Sequence, residues 1–481
     1  MKNIQFGTSG HRGIVGEAFS VRHVRAIARA VAVYLKQSAA SPALVIGYDP
    51  RGGNSALLEE GSFTRAAVEV LTHEGVLVYF LDEPAPTPLV SWFIKQAGLD
   101  GGLILTASHN PPEYNGIKFN DRFGAPAPAE VTQGIETLAN QFYEEDCVSV
   151  LNPDFCHEIN ATAAFSEALL STVGAWGKLS GLKACVDVKH GTTGAVWAEI
   201  GKSSDLEALC LHADPKSDFG GVEPNPTKPI ALAELRAFQK HLQAPLGVAH
   251  DPDGDRHVLL DEHGDMVTPE QTSVIIGHYL LSRQIPVWGM VTTVASSRIV
   301  RQFAVQNSLH FEETQVGFKY FSPYFQLGLS LGQIVIGVES SGGLSVSAHT
   351  MEKCGFFPAV MIAMIMSETG STLSVLKAEA LRHYGKSVFL EEEMSLTETS
   401  KQVWASLIRD PDTHTLRDSF KGAIDEINQK DGLKVRMSNQ DWVLVRLSGT
   451  EPVARIYAES STKEDASELI QALKQWASLN L

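Results

Sequence analysis

Two short runs hold the residue types best able to do chemistry. In AHDPDGDRH (249–257), Asp251, Asp253 and Asp255 alternate with proline and glycine. In GLILTASHNPPEYNGIKF (102–119), Ser108, His109 and Asn110 follow an apolar stretch, and Pro111-Pro112 then bars a helix. Three carboxylates at this spacing converge on one point and repel unless a cation joins them. Oxygen donors without His or Cys select a hard ion, Mg²⁺ or Ca²⁺, over zinc. A lone D-x-D would read as a solvated acidic turn; three carboxylates after an apolar strand do not. The EF-hand alternative fits positions 1, 3, 5 and 12 (Glu262) but puts Arg256 where glycine is needed, and its flanks read as strands. Three protein ligands leave positions open for a phosphate oxygen, which suits Mg²⁺. Ser108, on a stiff loop at a strand's carboxyl end, reads as either a turn residue or a nucleophile.

Four further runs have weaker signals. IVIGVESSGGLSVSAHTMEKCG (334–355) ends a strand in Glu339-Ser340-Ser341-Gly342-Gly343, suited to a polyol; alone it reads equally as a hairpin turn. RLSGTEPVARIYAES (446–460) sets Arg446 and Arg455 on adjacent strands around Ser448-Gly449-Thr450, an anion cradle of amides, hydroxyls and guanidinium groups. FGTSGHRG (6–13) and TQVGFKYFS (314–322) place Arg12 and Lys319 beside glycine turns, and Lys118 follows the Ser108 loop.

Positioning these groups requires several layered units, because 481 residues exceed one core. Apolar strand, polar loop and helical stretch recur at 43–74, 183–200 and 287–309, which predicts related α/β units with strands covered on both faces. The tail from about 386 reads as a small α+β unit with a final helix at about 463–478. Expected divisions are 1–150, 151–265, 266–380 and 381–481, packed tightly because none is joined by a low-complexity linker.

A net charge of −17 disfavours nucleic acid as a partner and means that an anionic substrate needs local cations, amides or a metal. No run approaches the ~20 apolar residues of a membrane span. The first residues carry neither a basic nor an apolar leader region. Five scattered cysteines without C-x-x-C spacing predict reduced thiols and a cytoplasmic protein.

In this order, FGTSGHRG, TASHNPPEYNGIKF, DPDGDR, VGFK, the ESSGG loop with EKCG, and RLSGTEPVAR resemble the α-D-phosphohexomutase superfamily over nearly the whole chain. The resemblance implies three related α/β/α domains with mixed sheets and a small C-terminal domain around a central cleft. The four segments would serve as phosphoserine, metal-binding, sugar-binding and phosphate-binding domains. Ser108 would be the phosphoserine, and Asp251, Asp253 and Asp255 would bind Mg²⁺ together with its phosphate. Arg12, His109, Lys118 and Arg256 would steady charge, with Lys118 and Lys353 as candidate bases and Lys319 in the cleft. Glu339 and Ser341 would grip sugar hydroxyls. Arg446, Ser448, Gly449, Thr450 and Arg455 would hold the non-reacting phosphate. The implied reaction interconverts hexose 1- and 6-phosphates through a hexose 1,6-bisphosphate, which also activates the enzyme, in a monomer or weak homo-oligomer. The loop resembles the phosphoglucomutase branch. Phosphomannomutase, phosphoglucosamine mutase, bisphosphate synthase and an inactive sugar-phosphate-binding scaffold are the alternatives. Cys354 replaces a usual aspartate, and Ser340 a frequent second glutamate.

Overall fold

The computed structural model describes residues 4–145, 149–385, 387–448 and 453–479. Its strands form four sheets. In the first, Ala43–Tyr48 lies parallel to Leu77–Leu81 and Gly101–Leu105, and Tyr114–Asp121 runs antiparallel beside the latter. His11–Ile14 closes one edge and Cys156–Ile159 the other, so this sheet extends past residue 150. The second sheet centres on the parallel trio Leu182–Asp187, Leu206–Leu211 and Leu246–His250, with His257–Leu260 returning antiparallel to the last. In the third, Val287–Thr293 is parallel to His310–Thr314 and Ile334–Val338, and Leu344–Val346 turns back. All three are mixed sheets with helices between their strands. The fourth, Val388–Ser395 to Val453–Ser460 to Trp442–Leu447 to Leu433–Met437 to Ile424–Asn428, is wholly antiparallel.

Central strands such as Gly101–Leu105 and Leu246–His250 are buried at every position, which explains their unbroken apolar sequence. Helix starts follow local chemistry: the Ser62 side chain accepts from Arg65 N, and Thr268 with Gln271 forms a capping box before Pro269. One continuous core joins the first three units: Phe165 and Leu169 pack in the same cluster as Leu89, Trp197 and Phe356–Met366. The antiparallel unit has its own core around Trp404, Leu433 and Trp476. It meets the third unit through Val294, Ala295, Trp442 and Tyr457. Among the described residues, no single helix is long and apolar enough to cross a membrane; Phe356–Thr369, apolar on all sides, is buried along nearly its full length.

Two features of the tail escaped the sequence reading, the helix Thr413–Ser419 and the edge strand Ile424–Asn428. Both are short and largely polar, so periodicity carries little information there.

Candidate active site

The Ser108 loop is held from behind. Thr106 donates its hydroxyl to Asp49 Oδ2 at 2.6 Å and accepts from Ser108 N at 2.8 Å. Arg51 is fully buried. Its Nε donates to both Asp49 oxygens at 2.8 and 2.9 Å, and its two terminal nitrogens donate to Ser108 O and Tyr114 O, each at 2.7 Å. This clamp sustains φ +54° at Ser108, a left-handed conformation that costs a non-glycine residue on the order of 1–3 kcal/mol. The strain turns the hydroxyl outward to donate to Asp251 Oδ2 at 2.9 Å. Sequence reasoning passed over Asp49 and Arg51. The available signal was an opposite-charge pair at the carboxyl end of a strand whose Tyr48 pairs with Leu105, just before the serine loop.

The fork geometry gives a prediction. Arg51→Lys keeps the charge but cannot hold Asp49 and two carbonyls at once. We expect turnover to fall about 10- to 100-fold with KM nearly unchanged, since a misplaced nucleophile affects the chemical step. Steady-state kinetics with kcat within twofold of the parent would rule out this positioning role.

Asp251, Asp253 and Asp255 lie on the loop between Leu246–His250 and His257–Leu260, so the flanks are strands and the EF-hand is excluded. One oxygen from each lies within 4.8 Å of the others, and all three side chains are buried. Three units fasten the loop. Thr87 donates through N to Asp253 O and through Oγ1 to Asp253 Oδ2, Thr192 donates to Pro252 O, and Gly355 N donates to Gly254 O. Gly254 has φ +68°, and a Cβ there would meet Thr193 Cγ2 at 2.6 Å, so the tight turn requires glycine. Asp253 Oδ1 and Asp255 Oδ1 are buried without hydrogen-bond partners. Oxygen-only donors with two orphaned carboxylate atoms suit a hard divalent cation.

Cations crowd the same point. Lys118 Nζ lies 2.6 Å from Asp253 Oδ2 and 3.0 Å from Asp255 Oδ2, and Lys353 Nζ lies 3.0 Å from Asp255 Oδ2. Arg256 Nε approaches Asp251 at 3.6 Å, and Arg12 donates to Asn110 in the serine loop at 2.9 Å. Burial, then repulsion from Asp255 and Asp253, raises Asp251 well above the usual carboxylate range. Burial also opposes charge on Asp255, but Lys118, Lys353 and Arg256 outweigh it and hold the group low. His109 Nδ1 lies 3.4 Å from Ser108 Oγ; burial, then Arg256 and Arg12, pushes its pKa well down.

The sugar-type loop follows Ile334–Val338. Glu339 N donates to Gly343 O at 2.8 Å, and Glu339 Oε1 accepts from Gly317 N at 3.1 Å, which joins the VGFK and ESSGG runs. His257 donates through N and Nδ1 to Gly342 O, and Arg256 bridges to Gly343, bringing this loop against the aspartate loop. Ser341 is half-buried on it. Lys319 lines a small cavity with Gly7–Gly10 and Lys118. The buried Cys354 sulfur is 3.3 Å from His349 Nε2, accepts from the amides of Phe356 and Phe357 at the start of a helix, and lies near enough to Asp255 to feel its charge.

Arg446 and Arg455 stand on the antiparallel sheet. They are direct cross-strand partners. Asp431 Oδ2 accepts from Arg446 Nε and Nη2 at 3.0 and 2.8 Å and also from Val316 N at 2.9 Å, which ties the arginine to the VGFK turn. Ser448 N donates to Val453 O. Gly449 and Thr450 lie outside the described residues.

His349 supplies a second prediction. Burial, then Lys95, pushes its pKa down to about 3. The unfolded chain takes up this proton near pH 6.5 and the folded chain does not, so stability falls as pH drops below 6.5. At pH 5 the loss is about 2 kcal/mol from this residue. In His349→Gln, the difference in unfolding free energy between pH 7.5 and 5 should shrink by that amount, as measured by denaturant titration; an unchanged difference would refute the assignment.

Comparison with known proteins agrees with this arrangement. Models of the phosphoglucomutase/phosphomannomutase family match in sequence: alpha/beta/alpha domain I at 3–146, domain II at 163–264, domain III at 268–384 and the C-terminal domain at 408–475. The chain belongs to the α-D-phosphohexomutase superfamily. It is 28% identical over 476 residues to the phosphoglucosamine mutase of Caldanaerobacter subterraneus subsp. tengcongensis, covering 98% of each chain. It is 27% identical to the phosphoglucomutase/phosphomannomutase of Thermococcus kodakarensis, covering 97% of this chain and 96% of that one. A phosphoglucomutase/phosphomannomutase family structure from Burkholderia thailandensis superposes with a TM-score of 0.80 at 21% identity, over 99% and 97% of the two chains, a likeness of fold.

Proposed function

We propose that this superfamily member interconverts hexose 1-phosphate and hexose 6-phosphate, with glucose as the favoured hexose, through a phosphoserine at 108 and a hexose 1,6-bisphosphate. The observation that carries this reading is the buried Ser108 hydroxyl, 2.9 Å from one of three convergent carboxylates and ringed by Arg12, Lys118, Arg256 and Lys353. Phosphoryl transfer needs positioning and charge neutralisation more than covalent chemistry, and these groups offer both.

Asp251, Asp253 and Asp255, with Ser108 beside them, would hold Mg²⁺ in this reading. When bound, the ion neutralises phosphoryl charge. The sugar O6 attacks phosphorus, the bond from phosphorus to Ser108 Oγ breaks, and the hydroxyl proton passes to a base. Lys118 and Lys353 are the candidates; both now donate to Asp255, so either must first give up a proton of its own before it can act as the base. In the second half, the bond from phosphorus to O1 breaks, Ser108 Oγ regains the phosphoryl group, and O1 takes the proton back. The sum is an isomerisation with no net proton. Glu339 and Ser341 orient the ring, Arg256 and Lys319 border it, and Arg446, Ser448, Gly449, Thr450 and Arg455 hold the other phosphate. Binding energy from that remote phosphate goes into orientation at the reacting one.

The test is a coupled assay on glucose, mannose and glucosamine 1-phosphates with Mg²⁺ and a trace of bisphosphate. A 6-phosphate product without net bisphosphate is expected. No product from any of the three, or stoichiometric accumulation of bisphosphate, would overturn the reading.

A further inference from the structure

Glu459 is a fully buried carboxylate surrounded by donors. Its Oε1 accepts from Ser297 Oγ at 2.6 Å and from Ser387 Oγ, and its Oε2 accepts from Arg298 N and Trp442 Nε1, each at 2.7 Å. The donors come from three parts of the chain. Ser297 and Arg298 open the helix Arg298–Gln306 of the third unit, Ser387 lies on the connection to the fourth, and Trp442 belongs to the fourth unit's sheet. Ser297 is held in turn from within the third unit, where its N donates to Oε1 of the buried Glu270 at 3.2 Å. Arg298 also reaches across, donating through Nη1 to Asp441 Oδ1. The first amide and cap hydroxyl of a helix favour an anion, and here the fourth unit supplies it.

The same sheet face carries the two arginines. Cross-strand pairing sets Trp442 opposite Glu459, Leu444 opposite Tyr457 and Arg446 opposite Arg455. Alternate residues of a strand share a face, so these six side chains line one surface, with Glu459 roughly 13 Å along the strand from Arg455. Between the two ends, Trp442, Leu444 and Tyr457 pack with Val294 and Ala295 of the third unit. The two-strand ladder is thus pinned at one end by Glu459 and carries guanidinium groups at the other. At the arginine end the tie is Asp431, which accepts from Arg446 and from Val316 N. Asp431 is partly exposed and must share Arg446 with any anion that arrives. Glu459 is shut off from solvent and has no such competitor.

The dock calls for a carboxylate. Its four hydrogen-bond partners are all donors. A glutamine would accept through one oxygen only, and its amide group would point N–H bonds at the remaining donors. The seat would loosen, and the ladder with it.

We propose that Glu459 is a positioning residue for phosphate recognition: seated on the start of the helix Arg298–Gln306, it fixes where Arg446 and Arg455 stand beside the Val316–Gly317 turn. The inference rests on the mutase reading above, which gives those arginines the non-reacting phosphate, and it adds the residue that places them.

The experiment measures kcat and KM, on the hexose 1-phosphate that the parent uses best, for four variants. These are Glu459→Gln, Ser297→Ala, the pair Arg446→Met with Arg455→Met, and that pair combined with Glu459→Gln. Glu459→Gln should raise KM about tenfold, the scale of one hydrogen bond to a charged group. Its kcat should stay within about threefold of the parent, because Ser108 and the aspartates follow strands of other units. The arginine pair variant should lose about a hundredfold or more in kcat/KM. Adding Glu459→Gln to it should change kcat/KM by less than about twofold, since absent arginines cannot be misplaced; general damage to the fold would multiply instead. Ser297→Ala removes one donor from the other unit and should raise KM about two- to threefold, which serves where Glu459→Gln fails to fold. An unchanged KM in Glu459→Gln (or in Ser297→Ala, where the first does not fold) would overturn the positioning role and leave the mutase reading standing. A multiplicative loss in the combined variant would do the same. Parental kcat/KM in the arginine pair variant, or a parent inert on every hexose 1-phosphate, would overturn the phosphate-clamp reading and this inference with it.

Discussion

Replacing Ser108 with alanine is expected to cut hexose 1-phosphate turnover by on the order of 10⁴-fold or more, the scale seen when a nucleophile is removed from an otherwise intact site. The change deletes one oxygen from a fully buried residue. Arg51 still donates to the residue-108 carbonyl and Thr106 still accepts from its amide, because both bonds use backbone atoms. The fold should therefore persist, and alanine at φ +54° should add only modest strain. What disappears is the acceptor for the phosphoryl group. Intact mass supplies an independent check: a fraction of the parent protein should carry about 80 Da of phosphate that Ser108→Ala lacks. Full turnover in the variant would refute the phosphoserine mechanism, and a phosphate mass that survives would place the modification elsewhere.

Asp255→Asn is the second large effect. The aspartate is the hub of the site: Lys118 and Lys353 both reach its Oδ2 at 3.0 Å, and its Oδ1 is buried without a hydrogen bond, 3.9 Å from Arg256 Nε. An amide of equal size cannot supply the missing negative charge to a cation or to two ammonium groups. Turnover should fall at least ~100-fold, at or beyond the range found when groups that merely support metal ligands are altered. The second readout is thermal. Mg²⁺ binding to the folded state alone adds about 2.7 kcal/mol at a hundred times its Kd, so Mg²⁺ should raise the parent's Tm and leave that of Asp255→Asn nearly unmoved. Neutralising one of three adjacent carboxylates also relieves repulsion, so the variant should remain folded without the ion. Unimpaired Mg²⁺-dependent turnover in Asp255→Asn would exclude the aspartate loop as the metal site.

The arrangement at the back of the site shows where sequence reasoning stops. Ser108 and the aspartates announce themselves because each sits in a contiguous run whose spacing is itself the chemistry. Asp49 and Arg51 do not. Their partner Ser108 lies 57 residues from Arg51 in the chain, and only the pairing of Ala43–Tyr48 with Gly101–Leu105 brings them together. Thr87 is a sharper case, 166 residues from the Asp253 carboxylate it supports. The surroundings of Cys354 are likewise not written in its motif: the helix start at Phe356 and the His349 ring, rather than the neighbouring EK pair, hold its buried sulfur.

The sequence alone determined the order of four units, the strand–loop–helix rhythm of the first three, the α+β character of the tail and the residue types able to carry phosphate, metal and sugar. These are local properties, written in periodicity, turn residues and side chains within a few positions of one another. The tertiary structure decided which charges face each other. It brought Arg12, Lys118, Arg256 and Lys353 around the three aspartates and placed Arg51 behind the serine. Those outcomes depend on burial and on contacts between units distant in the chain, and Coulomb and desolvation energies follow distance and solvent exposure, which spacing along a sequence does not contain.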